Sequence, residues 1–239
     1  MKNNLSITEY SEKKIFLRKI QSFVIRRGRT TKSQIKAINS LWPKLGITFK
    51  KEFLDMKQIF FNDNPIVLEI GFGTGTSLVE MAIQNPEKNF LGIEVYESGI
   101  GKCLNYINKK NIKNIKIIFY DAIEVLINMI RKNTLSKIQI FFPDPWEKQR
   151  HKKRRIVNKN FCNIIYEKLI NNGIVHITTD IKTYAEGILD IFNNFSGYIN
   201  LSKNKKYIKR LKNRPITKFE RKGIALGNNI FELMFKCFK

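Results

Sequence analysis

From Pro65 onward, short runs of unbroken apolar residues alternate with longer stretches in which apolar positions recur every three or four residues. The first pattern belongs to strands buried on both faces, the second to amphipathic helices. "PIVLEI" (65–70) predicts a strand and "TSLVEMAIQN" (76–85) the helix that follows. "NFLGIEV" (89–95) and "SGIGKCLNYINKK" (98–110) repeat the pair, with Ser98 as the expected N-cap. "IKIIFYD" and "AIEVLINMIRK" (115–132) repeat it again. "KIQIFFPD" (137–144) predicts a fourth strand, "NKNFCNIIYEKLI" (158–170) a helix, and "GIVHITTD" (173–180) a fifth strand after a stop at Gly173. "IKTYAEGILDIF" (181–192) predicts another helix, 201–223 a basic loop region, and "NIFELMFKCF" (229–238) a final strand. Strands separated by single helices predict an α/β fold whose mostly parallel sheet is covered on both faces.

Residues 1–55 read differently, as a polar, basic N-terminal extension ahead of one domain over 56–239. "SFVIRRGRTTKSQ" (22–34) predicts an extended arm, and "LWPKLGI" (41–47) closes the segment. Arg26, Arg27 and Arg29 fit either an RNA-binding arm or a solvated tail. Charge sharpens the division. Residues 1–57 hold 14 basic and 4 acidic side chains, 58–147 hold 9 and 10, and 148–239 hold 21 and 6. A biased composition alone would spread the excess evenly. A neutral middle between basic ends fits a small-molecule site flanked by surfaces for a polyanion. No long amphipathic apolar face accompanies the charge, which argues against a membrane partner. No apolar run is long enough to span a bilayer, and the N-terminus lacks a signal-peptide core. The three cysteines are far apart and no CxxC occurs; with only two histidines, neither a disulfide framework nor a metal site is expected. These features predict a cytoplasmic protein.

In open α/β sheets, ligands bind at the carboxyl ends of the strands. Five predicted strand ends carry a carboxylate: Glu69, Glu94, Asp121, Asp144 and Asp180. The first leads into "EIGFGTGTS", where Gly71, Gly73 and Gly75 permit a tight turn and close approach of a ligand. The G-x-G-x-x-G spacing fails because position 76 is Thr, and no Gly-Lys-Ser/Thr follows for a Walker loop. A pyrophosphate would fit poorly beside Glu69. A cationic cofactor without phosphate fits better, and S-adenosylmethionine is one. Glu94, 23 residues after Gly71, is near the spacing at which a carboxylate binds ribose hydroxyls, and Asp121 would face the adenine amino group.

The segments "SFVIRRGRTTKSQ", "LWPKLGI", "EIGFGTG", "GIEV", "FPDPW", "RHKKRR" and "RPITKFERKG" occur in this order. Together they resemble the bacterial tRNA (guanine-N7)-methyltransferase family, from about Ser22 to the C-terminus. The resemblance implies a class I S-adenosylmethionine-dependent methyltransferase (Rossmann-like) fold and methylation of guanine 46 in the tRNA variable loop. It implies cofactor contacts at Glu69, Glu94, Asp121 and Asp144. It implies substrate contacts at Lys148, Asp180, Thr217, Lys218, Phe219 and Glu220. It implies RNA contacts at Arg150, His151, Lys152, Lys153, Arg154 and Arg155. The chain departs from the family pattern at Glu147, Gln149 and Asn228-Asn229.

Guanine N7 has an in-plane lone pair and no proton, so methylation there requires alignment more than a general base. Asp144 is the first candidate catalytic residue, because a fixed carboxylate favours the positive charge that moves onto the purine. It could face guanine N1–H or N2–H, or the methionine amino group. Lys148 could meet a phosphate or guanine O6. Trp146 could stack on a flipped base or be a core aromatic under the loop. Asp180 could recognise guanine or cap the helix after it. A methyltransferase for protein or small molecules, or a non-catalytic RNA-binding module on this fold, are the competing readings. Both explain less of the pattern: the first leaves the charge segregation unexplained, the second the full acidic set.

Overall fold

A computed structural model describes residues 8–10, 16–18, 20–24 and 30–239. Arg26, Arg27 and Arg29 lie outside the described residues. Near the N-terminus, β1 (Thr8–Tyr10) and β2 (Phe16–Arg18) pair antiparallel. The chain then runs α1 (Lys32–Leu45), β3 (Gly46–Ile47), α2 (Met56–Phe60), β4 (Ile66–Ile70), α3 (Thr76–Gln84), β5 (Asn89–Glu94) and α4 (Glu97–Lys109). It continues through β6 (Ile115–Phe119), α5 (Ala122–Asn128), β7 (Leu135–Phe141), a 3-10 helix (Gln149–Arg154) and α6 (Lys159–Lys168). The last elements are β8 (Leu169–Thr179), α7 (Lys182–Asn193), β9 (Tyr198–Asn200), α8 (Lys218–Ala225) and β10 (Phe231–Cys237).

Eight strands form one sheet in the order β3-β6-β5-β4-β7-β8-β10-β9. The run from β3 to β8 is parallel throughout, and β10 is antiparallel to both its neighbours. The mostly parallel sheet matches the expectation. Its strand order reverses between β4 and β7, so the crevice for a ligand opens there.

One face of the sheet is mostly apolar. Leu68, Ile138, Ile177 and Leu233 pack there against Leu126 of α5, Phe161 of α6 and Ile188 of α7. The other face is divided. Its β6-β5-β4 half is apolar, with Ile117, Phe90 and Val67 under Leu104 of α4 and Leu78 of α3. Register places Gln139, His176, Thr178 and Glu232 on the same face of β7, β8 and β10, and all four are buried. The segment before α8 crosses this polar half: Ile208 bridges Glu232, and the buried Arg214 guanidinium lies 5.5 Å from the Phe141 ring centre.

Several local expectations change. The helix α1 begins at Lys32, inside the expected arm, and passes through Pro43 to Leu45. Its Thr31 forms a reciprocal capping box with Gln34. Ala37 and Leu45 are buried in the core, so α1 and β3 pack with the sheet ahead of the boundary expected near residue 55. Ser98 is not an N-cap; it lies within α4 and donates to Gln34 Oε1 at 3.1 Å. The helix α6 ends at Lys168, and Gly173 sits inside β8 rather than stopping a helix. The basic loop region contains α8, capped by Thr217 Oγ1, which accepts the Glu220 N–H at 3.1 Å.

Candidate functional site

The loop from β4 to α3 holds Gly71, Gly73 and Gly75 at φ of 72°, 59° and 76°, where side chains are disfavoured. A Cβ at Gly75 would strike Cys103 Sγ. At Gly71 and Gly73 a Cβ would meet nothing within 4 Å, so the loop leaves an open cradle. Glu94, at the end of β5, fixes this loop. Its Oε2 accepts the Gly73 N–H at 2.7 Å, and its Oε1 accepts from Val95 N at 2.6 Å and Tyr96 N at 3.0 Å. Burial still raises the Glu94 carboxyl above its ordinary range, against those hydrogen bonds, and the Asp144 charge adds to the rise.

Gly99 was not singled out in the sequence, yet it controls the cradle. A Cβ there would lie 2.3 Å from the Gly73 carbonyl oxygen. We expect Gly99→Ala to weaken S-adenosylmethionine binding by on the order of tenfold, measured by calorimetry, because the loop must move. Helix propensity alone predicts a more stable protein with unchanged affinity. That result would show that the contact does not matter.

Glu69 is buried beside this loop and accepts from Gln139 Nε2 at 2.7 Å. Burial pushes its carboxyl up to about 7, although Gln139 and Lys137 pull it down. Between pH 4.5 and 7 the unfolded chain therefore loses a proton that the folded chain keeps. Stability is largest below this window and falls as pH rises through it, by up to about 3 kcal/mol. Glu69→Gln should remove that slope in urea titrations of the ligand-free protein at pH 5 and pH 8. A slope retained in the variant would assign it to other groups.

Asp121 caps α5, accepting the Glu124 N–H at 3.0 Å. Asp144 follows β7 and is exposed on a loop with left-handed backbone at Phe142 (φ 55°) and Trp146 (φ 43°). Its charge acts on Glu94, and the Glu94 charge acts on Glu69, so three of the expected carboxylates share one edge. Trp146 is neither open nor a core aromatic. It is half-buried, its indole N–H donates to the Ser22 carbonyl at 3.1 Å, and the Arg154 guanidinium lies 5.1 Å from its ring. The expected RNA run is the 3-10 helix, with Lys148, Arg150 and Lys153 exposed. Partial desolvation and the cations around it push the His151 imidazole below its ordinary range. Arg155 turns away from this surface and donates from Nε to the Pro145 carbonyl at 2.7 Å. Glu147 is exposed, and Gln149 opens the 3-10 helix.

Asp180 does not cap α7, whose N-terminus has no side-chain cap. Its Oδ2 accepts from Asn228 Nδ2 at 3.1 Å, and Gly223 of α8 lies against it. Thr217 is half-buried at the start of α8, while Lys218 and Phe219 are exposed. Glu220 points the other way. It is fully buried, with Oε2 held by Arg214 Nη1 at 2.7 Å and Oε1 by Arg214 Nη2 at 2.8 Å and Arg210 Nε at 2.7 Å. Its carboxylate therefore forms a salt bridge inside the protein. Arg214 also donates to Glu232 Oε1 at 3.2 Å, and His176 Nε2 lies 2.8 Å from the same oxygen. Burial pushes His176 down to about 4, despite Glu232, so it is a neutral donor there at pH 7. The Thr-x-x-Glu pattern at 217–220 was the available signal for α8. No local signal marked Gln139, and none assigned Asn228 or Arg214 its partners.

Among the described residues, no helix is long and apolar enough to cross a membrane. None of their His, Cys, Asp or Glu side chains form a group of three or more that could hold a metal ion. Comparison with known proteins adds to this geometry. The family described as "Putative methyltransferase" matches residues 63–233. A tRNA (guanine-N(7)-)-methyltransferase of Buchnera aphidicola subsp. Acyrthosiphon pisum (strain 5A) is 53% identical over 239 residues, covering 100% of both chains. One of Photorhabdus laumondii subsp. laumondii is 48% identical over 239 residues, again covering 100% of both. A crystal structure of the 16S rRNA methyltransferase KamB superposes with a TM-score of 0.58 at 11% identity, over 79% of this chain and 95% of that one. The fold is that of the class I methyltransferases.

Proposed function

The chain belongs to the tRNA (guanine-N7)-methyltransferase family, and from that membership we propose that it methylates N7 of guanine 46 in the variable loop of tRNA. S-adenosylmethionine supplies an electrophilic methyl group on a sulfonium. The cradle at Gly71 and Gly73, open where a Cβ would stand, fits the close approach of that cofactor. Glu94, buried at the end of β5, retains lone pairs for ribose hydroxyls, and Asp121 would take the adenine amino group. Glu69, pushed up to about 7 by burial, would be drawn to its charged form by the cationic end of the cofactor.

On the nucleotide side, Gly223 of α8 packs on Asp180, and Thr217 caps the same helix. Asp180 and Thr217 would hold the guanine edge, with the exposed Phe219 to pack on a base. Asp144 lies within reach of the Glu94 charge. Its carboxylate would stabilise the positive charge that guanine gains as N7 attacks the methyl carbon. Lys148, Arg150, Lys152 and Lys153 would neutralise phosphates around the variable loop. A tRNA substrate, and free cysteines that are all buried, fit a reducing cytoplasm.

The observation that carries this reading is the Asp144 charge within reach of Glu94, on the loop that leads into the basic 3-10 helix. Incubation with labelled S-adenosylmethionine and unmodified tRNA should give N7-methylguanine at position 46. Transfer to another nucleotide, or none at low salt, would overturn it.

A further inference from the structure

Arg155 ends the basic run in sequence but faces the Asp144 loop in space. Its Nε donates to the carbonyl of Pro145, the residue directly after Asp144, at 2.7 Å. Its guanidinium carbon lies 4.4 Å from the ring centre of Tyr184, a buried residue of α7. The Tyr184 hydroxyl in turn accepts the Val157 N–H at 3.3 Å. Arg155 Nη2 is buried and meets no acceptor among the described residues. A phosphate outside could not reach that nitrogen without opening the loop. The exposed Arg150 and Lys153 differ on every one of these points.

The loop needs such a tie. Phe142 and Trp146, both non-glycine residues at positive φ, bracket Asp144, and strained backbone of this kind persists only where its surroundings hold it. Three hydrogen bonds do so: Phe142 N to the Thr178 carbonyl at 2.9 Å, the Trp146 indole to Ser22, and Arg155 to Pro145. Only the last is charge-assisted, and it acts on the Pro145–Trp146 peptide, one residue past Asp144.

We propose that Arg155 is a positioning residue for the Asp144 carboxylate, acting through the Pro145 carbonyl, and not a phosphate contact. The proposal rests on the methyltransferase reading above. The geometry also predicts that lysine cannot replace it. A lysine keeps the charge that a phosphate contact needs, but lacks a planar fork that stacks on Tyr184 while Nε donates sideways.

The test compares Arg155→Lys and Arg155→Gln with a triple variant, Arg150→Gln/Lys152→Gln/Lys153→Gln. Steady-state kinetics, tRNA binding across a salt series and tryptophan emission in a Trp42→Phe background are measured for each. Both Arg155 variants should lose on the order of tenfold to a hundredfold in kcat, with KM for tRNA little changed. The slope of log Kd against log salt should match the parent, and Trp146 emission should shift as the loop moves. The triple variant should flatten the slope and leave Trp146 emission alone. If Arg155→Lys retains kcat, and Arg155→Gln flattens the salt slope as the triple variant does, the proposal is overturned. If the parent protein itself fails to methylate tRNA, the methyltransferase reading fails instead, and unchanged Trp146 emission in both Arg155 variants would still overturn the tie.

Discussion

Asp144→Asn should lower kcat for tRNA methylation by on the order of a hundredfold to a thousandfold, the usual loss when a group that stabilises transition-state charge is removed. Asparagine keeps the shape and one acceptor oxygen but not the charge. The loss should fall on kcat, because guanine becomes positive only as N7 takes the methyl. Binding of tRNA should persist, since the phosphate-facing cations of the 3-10 helix are untouched. Single-turnover kinetics beside filter binding would separate the two effects. A variant with normal turnover would take Asp144 out of the reaction, and one that fails only to bind tRNA would make it a recognition residue.

Glu220→Gln should lower folding stability by about 3–5 kcal/mol, as removal of one partner from a buried ion pair does. The variant leaves Arg214 with one carboxylate fewer in a site with almost no solvent. Arg214 and Arg210 hold the Glu220 carboxyl below its ordinary range even against the opposing effect of burial. Its contribution is therefore present above the ordinary glutamate range and lost as pH falls through the lowered value. Urea titrations at pH 7 should show the full difference between parent and variant, and at pH 4 a smaller one. An equal deficit at both pH values would mean that shape rather than charge is lost. Replacing Arg214 by Met and Glu220 by Leu together should not restore it, because the Glu232 carboxylate is then left buried without a cation.

The elements that were legible are those whose signal is local. "PIVLEI" and "IFF" read as strands because β4 and β7 are buried on both faces, and α3, α4 and α7 keep helical spacing of their apolar residues. The carboxylates at the strand ends were legible for the same reason: parallel strands bring their ends to one edge, whatever the loops do. The helix α8 was read as loop because it buries only Glu220 and Gly223, one charged and one without a side chain, so no apolar stripe marks it. The strands β3 and β9 are two and three residues long, too short for a period to register. Side-chain direction was least legible. Glu220 and Arg155 sit inside motifs that pointed to substrate and RNA, yet Glu220 turns inward to Arg214 and Arg210, and Arg155 to Pro145 and Tyr184. Glu232 lies 21 residues from Leu211 and 56 from His176, and no short window links them.

The divided face of the sheet bears on how the two halves of the site keep their alignment. An apolar contact tolerates sliding, because one methyl group serves nearly as well as the next. A forked guanidinium seated between Glu220 and Glu232 admits one pose, since a shift of a single residue would strand a charge. The cofactor half of the domain rests on the first kind of contact and the α8 half on the second. Core substitutions under α3 and α4 should therefore repack with little change in reaction geometry. A substitution in the polar half should behave as a switch, with α8 either docked in its one register or not docked.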